Sequence, residues 1–206
     1  MKNRIRICFL IISVSFLLMI STFAQDAFNL RSVTAGINIT QENFRLVLKK
    51  TKTFLDKGRD ILERRGFTLE GVRLATNPFY LYTKGLSVKE TLDFIKKIND
   101  FTQQHRIALS IGAGIIDDSY DQEIIEKICA VLTDTSANTS IVIASKEHGI
   151  HYDAVRAAAE TIKRLSELKT MANFSFAATA NVPSEIPFFP GAYHNRSYNS
   201  FSIGTE

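Results

Sequence analysis

Cysteine is scarce in this chain of 206 residues, which contains only Cys8 and Cys129. Cys8 lies in an apolar N-terminal run, and Cys129 lies within a helical pattern of apolar residues. Once the N-terminal run is removed, the remaining chain has no partner for an intramolecular disulfide. The sequence therefore disfavours a small secreted module held by disulfides and requires a packed core for stability.

An uncharged apolar run lies at the N-terminus, but it is shorter than the roughly 20 apolar residues of a membrane-spanning helix. Three basic residues precede this run, residues 7–20, and small residues suited to cleavage follow it up to Ala24. The pattern predicts a secretory signal over residues 1–24, and hence a secreted or periplasmic protein without membrane contact after cleavage. An uncleaved N-terminal membrane anchor is the alternative.

The chain lacks a strong excess of one charge once the predicted signal is set aside. Residues 1–24 contain three of the 25 Lys and Arg and none of the 21 Asp and Glu, which leaves 22 against 21, a net charge of +1. This balance gives no basic face for nucleic acid. With 45% hydrophobic and 22% charged residues, we expect one globular domain over residues 25–206. Its expected partner is a small-molecule ligand, and a homo-oligomer is a further possibility.

Several catalytic signatures are also absent. There is no G-x-S-x-G elbow, and Cys129 belongs to a helix stripe, so ordinary nucleophilic hydrolases are disfavoured. His148 and His151 lie three apart, with Glu147 and Asp153 nearby. Because a third strong ligand at zinc spacing is missing, we predict no metal site there. The sequence identifies no cofactor.

Apolar periodicity indicates strands that alternate with helices. Strand patterns cover residues 31–39, 71–76, 107–112, 140–145 and 174–182. Helical stripes follow the first four of them, and the second helix begins with a Ser87–Glu90 capping box. The pattern predicts an α/β fold with five mainly parallel strands and four helices, and its apolar runs suit strands buried on both faces.

The loops that leave the carboxyl ends of parallel strands gather on one rim of the sheet, where open α/β proteins bind ligands. All four prolines lie in two such loops, one containing Pro78 and the other Pro183, Pro187 and Pro190. Proline fixes φ and stiffens both loops. This concentration of proline favours a ligand site at the rim.

Candidate site residues follow from this placement. We predict proton transfer by His148 and His194, and ligand binding by Arg73, Asn77, Ser110, Asn181 and Tyr193. Arg73 lies in the middle of a strand, so it should have an anionic partner, either a substrate or a structural carboxylate. Asn77 and His148 have simple turn roles as alternatives, and His194 has the alternative of a solvated position beside an aromatic plug.

A glycine-rich stretch, "SIGAGIID" over residues 110–117, resembles a phosphate-binding loop after the third strand. Two glycines there would let backbone N–H groups approach an anion. A third glycine is missing and a helix does not begin at once, so phosphate binding is the less favoured interpretation.

The segments "RSVTAGINI", "GVRLATNPF", "ANFSFAATANVPSEIPFFPGAYH" and "FSIGTE" resemble the family called domain of unknown function 711. The resemblance runs from Arg31 to the last residue. Members of that family are about twice as long and usually cytoplasmic, so the resemblance implies a chain truncated at its C-terminus and does not fit the predicted export signal.

The family's fold is similar to the α/β barrel of the pyruvate formate-lyase group, which is built from two halves of five parallel strands. The resemblance therefore implies half of a larger barrel. Those enzymes use a catalytic thiol and a glycyl radical near the carboxyl terminus, and this sequence shows no loop cysteine, so radical chemistry is not carried over.

From the candidate residues at the rim, we expect an enzyme that binds a small polar or anionic metabolite. The alternatives are a non-catalytic ligand-binding protein and an inactive truncated fragment.

Overall fold

Strands and helices alternate along residues 29–205, the part of the chain that the computed structural model describes. The elements are β1 (Leu30–Ile37), α1 (Phe44–Arg64), β2 (Leu69–Thr76), α2 (Phe79–Tyr82), α3 (Val88–Gln104), β3 (Ile107–Ile115), α4 (Gln122–Asp134), β4 (Asn138–Ser145), β5 (Gly149–Ile150), α5 (Tyr152–Leu168), a 3₁₀ helix (Thr170–Ser175), β6 (Phe176–Ala180) and β7 (Ser200–Thr205). The predicted signal or anchor lies outside the described residues. None of the helices within them is both long and apolar enough to cross a bilayer.

The five predicted strands form a continuous parallel sheet. β1 pairs with β2, β2 with β3, β3 with β4, and β4 with β6, each in parallel. The four predicted helices connect these strands, and Ser87 and Glu90 form the predicted capping box at the start of α3. The prediction of an α/β fold is confirmed.

Two further strands join this sheet in antiparallel orientation. β5 forms a hairpin with the end of β4, and β7 runs antiparallel to β1 along the edge of the sheet. The sheet of seven strands is therefore mixed. Neither strand was predicted from the sequence, because β5 has only two residues and β7 follows a long irregular segment.

The helices cover one face of the sheet. The parallel strands follow one another in chain order, and right-handed crossovers that advance in one direction place every helix on the same side. The helix-facing core includes Val33, Leu74, Leu109 and Ile141 from the strands and Leu55, Ile98, Ile128 and Leu165 from the helices. The helices therefore form a single layer on this side of the sheet.

The second face of the sheet carries small and polar side chains. Strand register places Gly36, Ala75 and Ser110 in one row of this face, and Ser32 and Ser140 are also buried. Residues 181–199, which connect β6 to β7, pass over this face, and we call them the crossing segment. Irregular chain therefore provides the cover that a second helical layer would provide in a doubly wound fold.

Phosphate binding by residues 110–117, the less favoured interpretation of the sequence, does not fit the fold. Its Gly-Ala-Gly sequence lies inside β3, which extends to Ile115. Gly112 has a φ of +79°, and a Cβ at this position would lie 2.2 Å from the carbonyl oxygen of Asn77. The glycine therefore allows β3 to approach the chain that leaves β2, and the backbone amides do not form a phosphate cradle.

Candidate functional site

The crossing segment is attached to the sheet by hydrogen bonds to its backbone. Arg73 Nη1 donates to the Pro187 carbonyl at 2.9 Å, and Thr34 Oγ1 donates to the same oxygen at 3.3 Å. Ser110 Oγ donates to the Ala192 carbonyl at 2.6 Å. Side chains of three strands thus fix the position of this segment over the second face.

Arg73 is bonded to a backbone carbonyl and not to the structural carboxylate that was one of its two predicted partners. Its guanidinium is bonded to a carbonyl oxygen rather than to a carboxylate, and it lies 5.3 Å from the ring centre of Phe189. Partial burial, with Arg31 nearby, lowers the pKa of Arg73. Both contacts are with residues of the crossing segment, so Arg73 positions that segment. A carbonyl and an aromatic face bind a guanidinium less strongly than a carboxylate does.

Asn77 and Ser110 are also bonded to the backbone. The Asn77 side chain accepts a hydrogen bond from the Ile39 N–H at 2.9 Å and donates to the Ile39 carbonyl at 3.3 Å. These two bonds join the chain that leaves β1 to the chain that leaves β2. Both side chains are buried, and their polar atoms are engaged within the fold.

His194 belongs to the crossing segment and lies against the end of β2. Its backbone N–H donates to the Thr76 carbonyl at 2.9 Å, and its side chain is fully buried. Nδ1 lies 3.3 Å from Ser200 Oγ and 3.6 Å from a Glu185 carboxylate oxygen, while Nε2 has no hydrogen-bond partner among the described residues. Burial lowers the pKa of His194, and the Glu185 carboxylate opposes this effect. The alternative of a solvated His194 is wrong.

Glu185 stabilises the crossing segment, and the sequence analysis missed it. Its carboxylate accepts hydrogen bonds from the Asn195 N–H at 2.9 Å and from Arg196 Nε at 3.0 Å. Burial alone would raise the pKa of Glu185, but hydrogen bonds from Ser184, Asn195 and Arg196 outweigh it and lower the pKa. A carboxylate between two prolines, Pro183 and Pro187, was the available signal.

A groove of about 450 Å³ opens at the carboxyl ends of β4 and β6. It contains three of the predicted site residues, His148, Asn181 and Tyr193. The remaining lining residues are Ile116, Val142, Ala144, Ser145, Lys146, Glu147, Val182, Pro183 and Asn195. The groove therefore combines an apolar floor with polar and charged groups of both signs.

Two segments position the predicted residues in this groove, the turn after β4 and the crossing segment. His148 lies in the turn after β4, where its N–H donates to Ser145 Oγ at 3.2 Å. Asn181 follows β6 with a φ of +54°, and its N–H donates to the Ala144 carbonyl at 3.0 Å. Asparagine adopts this left-handed conformation more readily than most residues other than glycine, which suits it to the turn that follows β6.

Tyr193 forms one wall of the groove. It packs against Ala113 and Val142. Burial raises the pKa of Tyr193, and the carboxylates of Glu185 and Glu147 add to this effect. Its hydroxyl therefore remains protonated near neutral pH and can donate a hydrogen bond.

The charged groups nearest the groove do not form a metal centre. Within residues 29–205, no group of three or more His, Cys, Asp or Glu side chains has the arrangement needed to hold an ion. The rings of His148 and His151 lie 6.4 Å apart, centre to centre. The arrangement is suited instead to hydrogen bonding and proton transfer.

The chain resembles proteins found in archaea and bacteria. The family described as "Uncharacterised ACR (DUF711)" matches residues 19–206. A UPF0210 protein of Pyrobaculum islandicum is 28% identical over 162 residues, which are 75% of this chain and 34% of that protein. A second, from Pyrobaculum aerophilum, is 29% identical over 168 residues, or 79% of this chain and 36% of the relative.

A bacterial relative likewise matches most of this chain and less than half of its own length. The UPF0210 protein of Leuconostoc mesenteroides is 25% identical over 194 residues, which are 86% of this chain and 43% of that protein. The chain thus spans less than half the length of these curated relatives.

Proposed function

We propose that this chain, which belongs to the uncharacterised DUF711 family, is an enzyme. It binds a small polar or anionic metabolite in the groove at the carboxyl ends of β4 and β6. The activity of the whole protein is part of this proposal, since the longer relatives contain more than twice the matched length.

The convergence of His148, Asn181 and Tyr193 on one groove carries the proposal. His148 lies in the turn after β4, whereas Asn181 and Tyr193 lie at separate positions of the crossing segment. The carboxyl ends of parallel strands are where open α/β proteins bind ligands. The groove volume of about 450 Å³ lies within the range of small-molecule sites. A packing role alone would not need three polar side chains around one opening.

Each of these residues has a distinct role in the proposed site. His148 is exposed and transfers a proton to or from the ligand. Asn181 and Tyr193 donate hydrogen bonds that orient it, and Lys146 supplies positive charge at the rim. Arg73 and Ser110 are positioning residues, because they fix the crossing segment that contains Tyr193.

A thermal-shift screen of the 206-residue chain with small mono- and dicarboxylates and with inorganic phosphate tests binding. We expect at least one compound to raise the melting temperature, because ligand bound only to the folded state stabilises it. Asn181→Ala should abolish that shift. His105→Ala is the matched control, since His105 ends α3 away from the groove, and it should keep the shift. Binding that Asn181→Ala leaves unchanged would place the ligand elsewhere.

A non-catalytic ligand-binding protein is the second candidate. It is favoured by the burial of His194, which separates one of the two predicted proton-transfer groups from the groove. If the protein is an enzyme, His148→Ala should abolish turnover of the bound compound and largely preserve its affinity. If it is a binding protein, the wild-type chain should bind the compound and leave it chemically unchanged by mass spectrometry.

A further inference from the structure

Ser145 and His151 form a side-chain contact at the edge of the groove. Ser145 Oγ lies 3.1 Å from His151 Nε2, which is within hydrogen-bond distance for a nucleophile and its base. Ser145 is half-buried and lines the groove, whereas His151 is only 2% exposed. The hydroxyl is therefore open to a ligand and the imidazole is shielded from water.

The surroundings of His151 determine which nitrogen accepts a proton. His151 Nδ1 lies 3.2 Å from the Val142 carbonyl oxygen. A carbonyl oxygen can only accept, so the neutral imidazole carries its proton on Nδ1 and donates it there. Nε2 is then a free acceptor directed at Ser145, which is the tautomer that a general base requires.

The backbone holds both side chains in this geometry. Ser145 pairs with Gly149 across the β4–β5 hairpin, and Gly149 has a φ of +71°, which closes the short turn. The His151 N–H donates to the Ile143 carbonyl at 2.9 Å, and the His151 carbonyl accepts from Val155 N–H at 2.8 Å. The pair is thus placed by a strand, a hairpin and the first turn of α5.

We propose that Ser145 is a nucleophile activated by His151, and that the groove hydrolyses a small carboxylic ester. This inference rests on the proposed function, because it assigns a reaction to the same groove. The absence of a G-x-S-x-G elbow disfavoured hydrolases, but the pair arises on a strand and hairpin and does not need that elbow.

The reaction balances with water as the second reactant. Ser145 Oγ attacks the ester carbonyl carbon, and its proton passes to His151 Nε2. The bond to the alcohol oxygen breaks, the electron pair leaves with that oxygen, and His151 returns the proton to it. Water then attacks the acyl carbon and loses a proton to His151. The bond between that carbon and Ser145 Oγ breaks, and His151 returns the proton to Oγ, which releases the carboxylic acid and restores both residues. The Lys146 ammonium in the groove supplies positive charge for the oxyanion.

A turn-stabilising role for Ser145 predicts a different result. Its Oγ accepts a hydrogen bond from the His148 N–H at 3.2 Å, a contact that side-chain hydroxyls often make in turns. That contact does not involve the imidazole. A measurement of serine reactivity, rather than of stability, therefore separates the two roles.

Labelling of the 206-residue chain with a biotin-tagged fluorophosphonate tests the pair. We expect one adduct, mapped to Ser145 by peptide mass spectrometry and absent in Ser145→Ala. His151→Asn keeps a donor toward the Val142 carbonyl and removes the acceptor toward Ser145, so it should slow labelling about 100-fold or more. Ser166→Ala removes an exposed serine of α5 and should leave the rate unchanged. Failure of the folded wild-type chain to react, or an adduct at another serine, would overturn the proposal.

Ser145→Cys keeps the test informative if His151→Asn does not fold. The new thiol, beside His151, should react with iodoacetamide at least tenfold faster than the buried Cys129. An equal or slower rate in the folded variant would show that His151 does not activate this position.

The thermal-shift screen separates failure of this proposal from failure of the proposed function. A ligand-induced shift without fluorophosphonate labelling would overturn the nucleophile and leave metabolite binding intact. Labelling at Ser145 without a shift from any carboxylate or phosphate would overturn metabolite binding and support the nucleophile.

Discussion

Gly36 shows how one small residue determines the position of a histidine. A Cβ at Gly36 would lie 2.5 Å from His194 Nδ1 and 2.7 Å from Ser200 Oγ. Gly36→Ala should therefore displace His194 and lower the free energy of unfolding by about 1–3 kcal/mol, the usual cost of overpacking. Urea denaturation measures this change.

Gly58→Ala is the matched control for that substitution. Gly58 lies within α1, and a Cβ there would meet no heavy atom within 4 Å. We expect it to raise the free energy of unfolding by about 0.5–1 kcal/mol, because alanine is the better helix former. Equal effects of the two substitutions would contradict the close packing of His194 on Gly36.

His194 also predicts a pH dependence of stability. Its folded pKa is lowered, chiefly by burial, so the unfolded chain binds the additional proton first as the pH falls through about 6.5. The stabilisation is fully present above that value and decreases below it. Urea denaturation at about pH 7.5 and about pH 5.5 should show the loss, and His194→Gln should reduce the difference between the two. A difference unchanged in His194→Gln would assign it to another group.

The elements show which parts of the fold the sequence specifies locally. The periods of apolar residues and the Ser87–Glu90 capping box predicted five strands and four helices, because both signals arise from neighbours along the chain. β7 was missed because its pairing with β1 joins residues about 170 positions apart.

The same limit applies to the site. The rim position of Asn181 and His148 was predictable, but the burial of His194 depended on contacts made by the whole crossing segment.

Ser110 provides a test of how the crossing segment is attached. Its hydroxyl donates to the Ala192 carbonyl at 2.6 Å, so Ser110→Ala would leave that buried oxygen without its partner. We expect a loss of about 1–3 kcal/mol and faster amide hydrogen exchange within residues 181–199.

Ser32→Ala is the control on the same face of the sheet. Ser32 is buried and its Oγ has no hydrogen-bond partner within the described residues, so its removal should have little effect on exchange or stability. Faster exchange in both variants would indicate general loosening of the face rather than loss of one bond.

At the scale of the whole molecule, the sheet presents an apolar edge. β7 pairs with β1, and its Phe201 and Ile203 are 59% and 43% exposed. Exposed edge strands favour association with other chains. We expect concentration-dependent association of the 206-residue chain in sedimentation velocity, and Ile203→Lys should reduce it. Association that this charge leaves unchanged would exclude the edge as the contact.

The one-sided helical layer has a consequence for access to the proposed ligand site. The large apolar side chains of the core lie between the helices and the sheet, so the crossing segment can lift from the opposite face while that core remains intact. Such sub-global opening requires less free energy than complete unfolding. Tyr193 would move with the segment and widen the groove. The rate at which a ligand enters and leaves the proposed site would therefore be set by the local opening of the crossing segment.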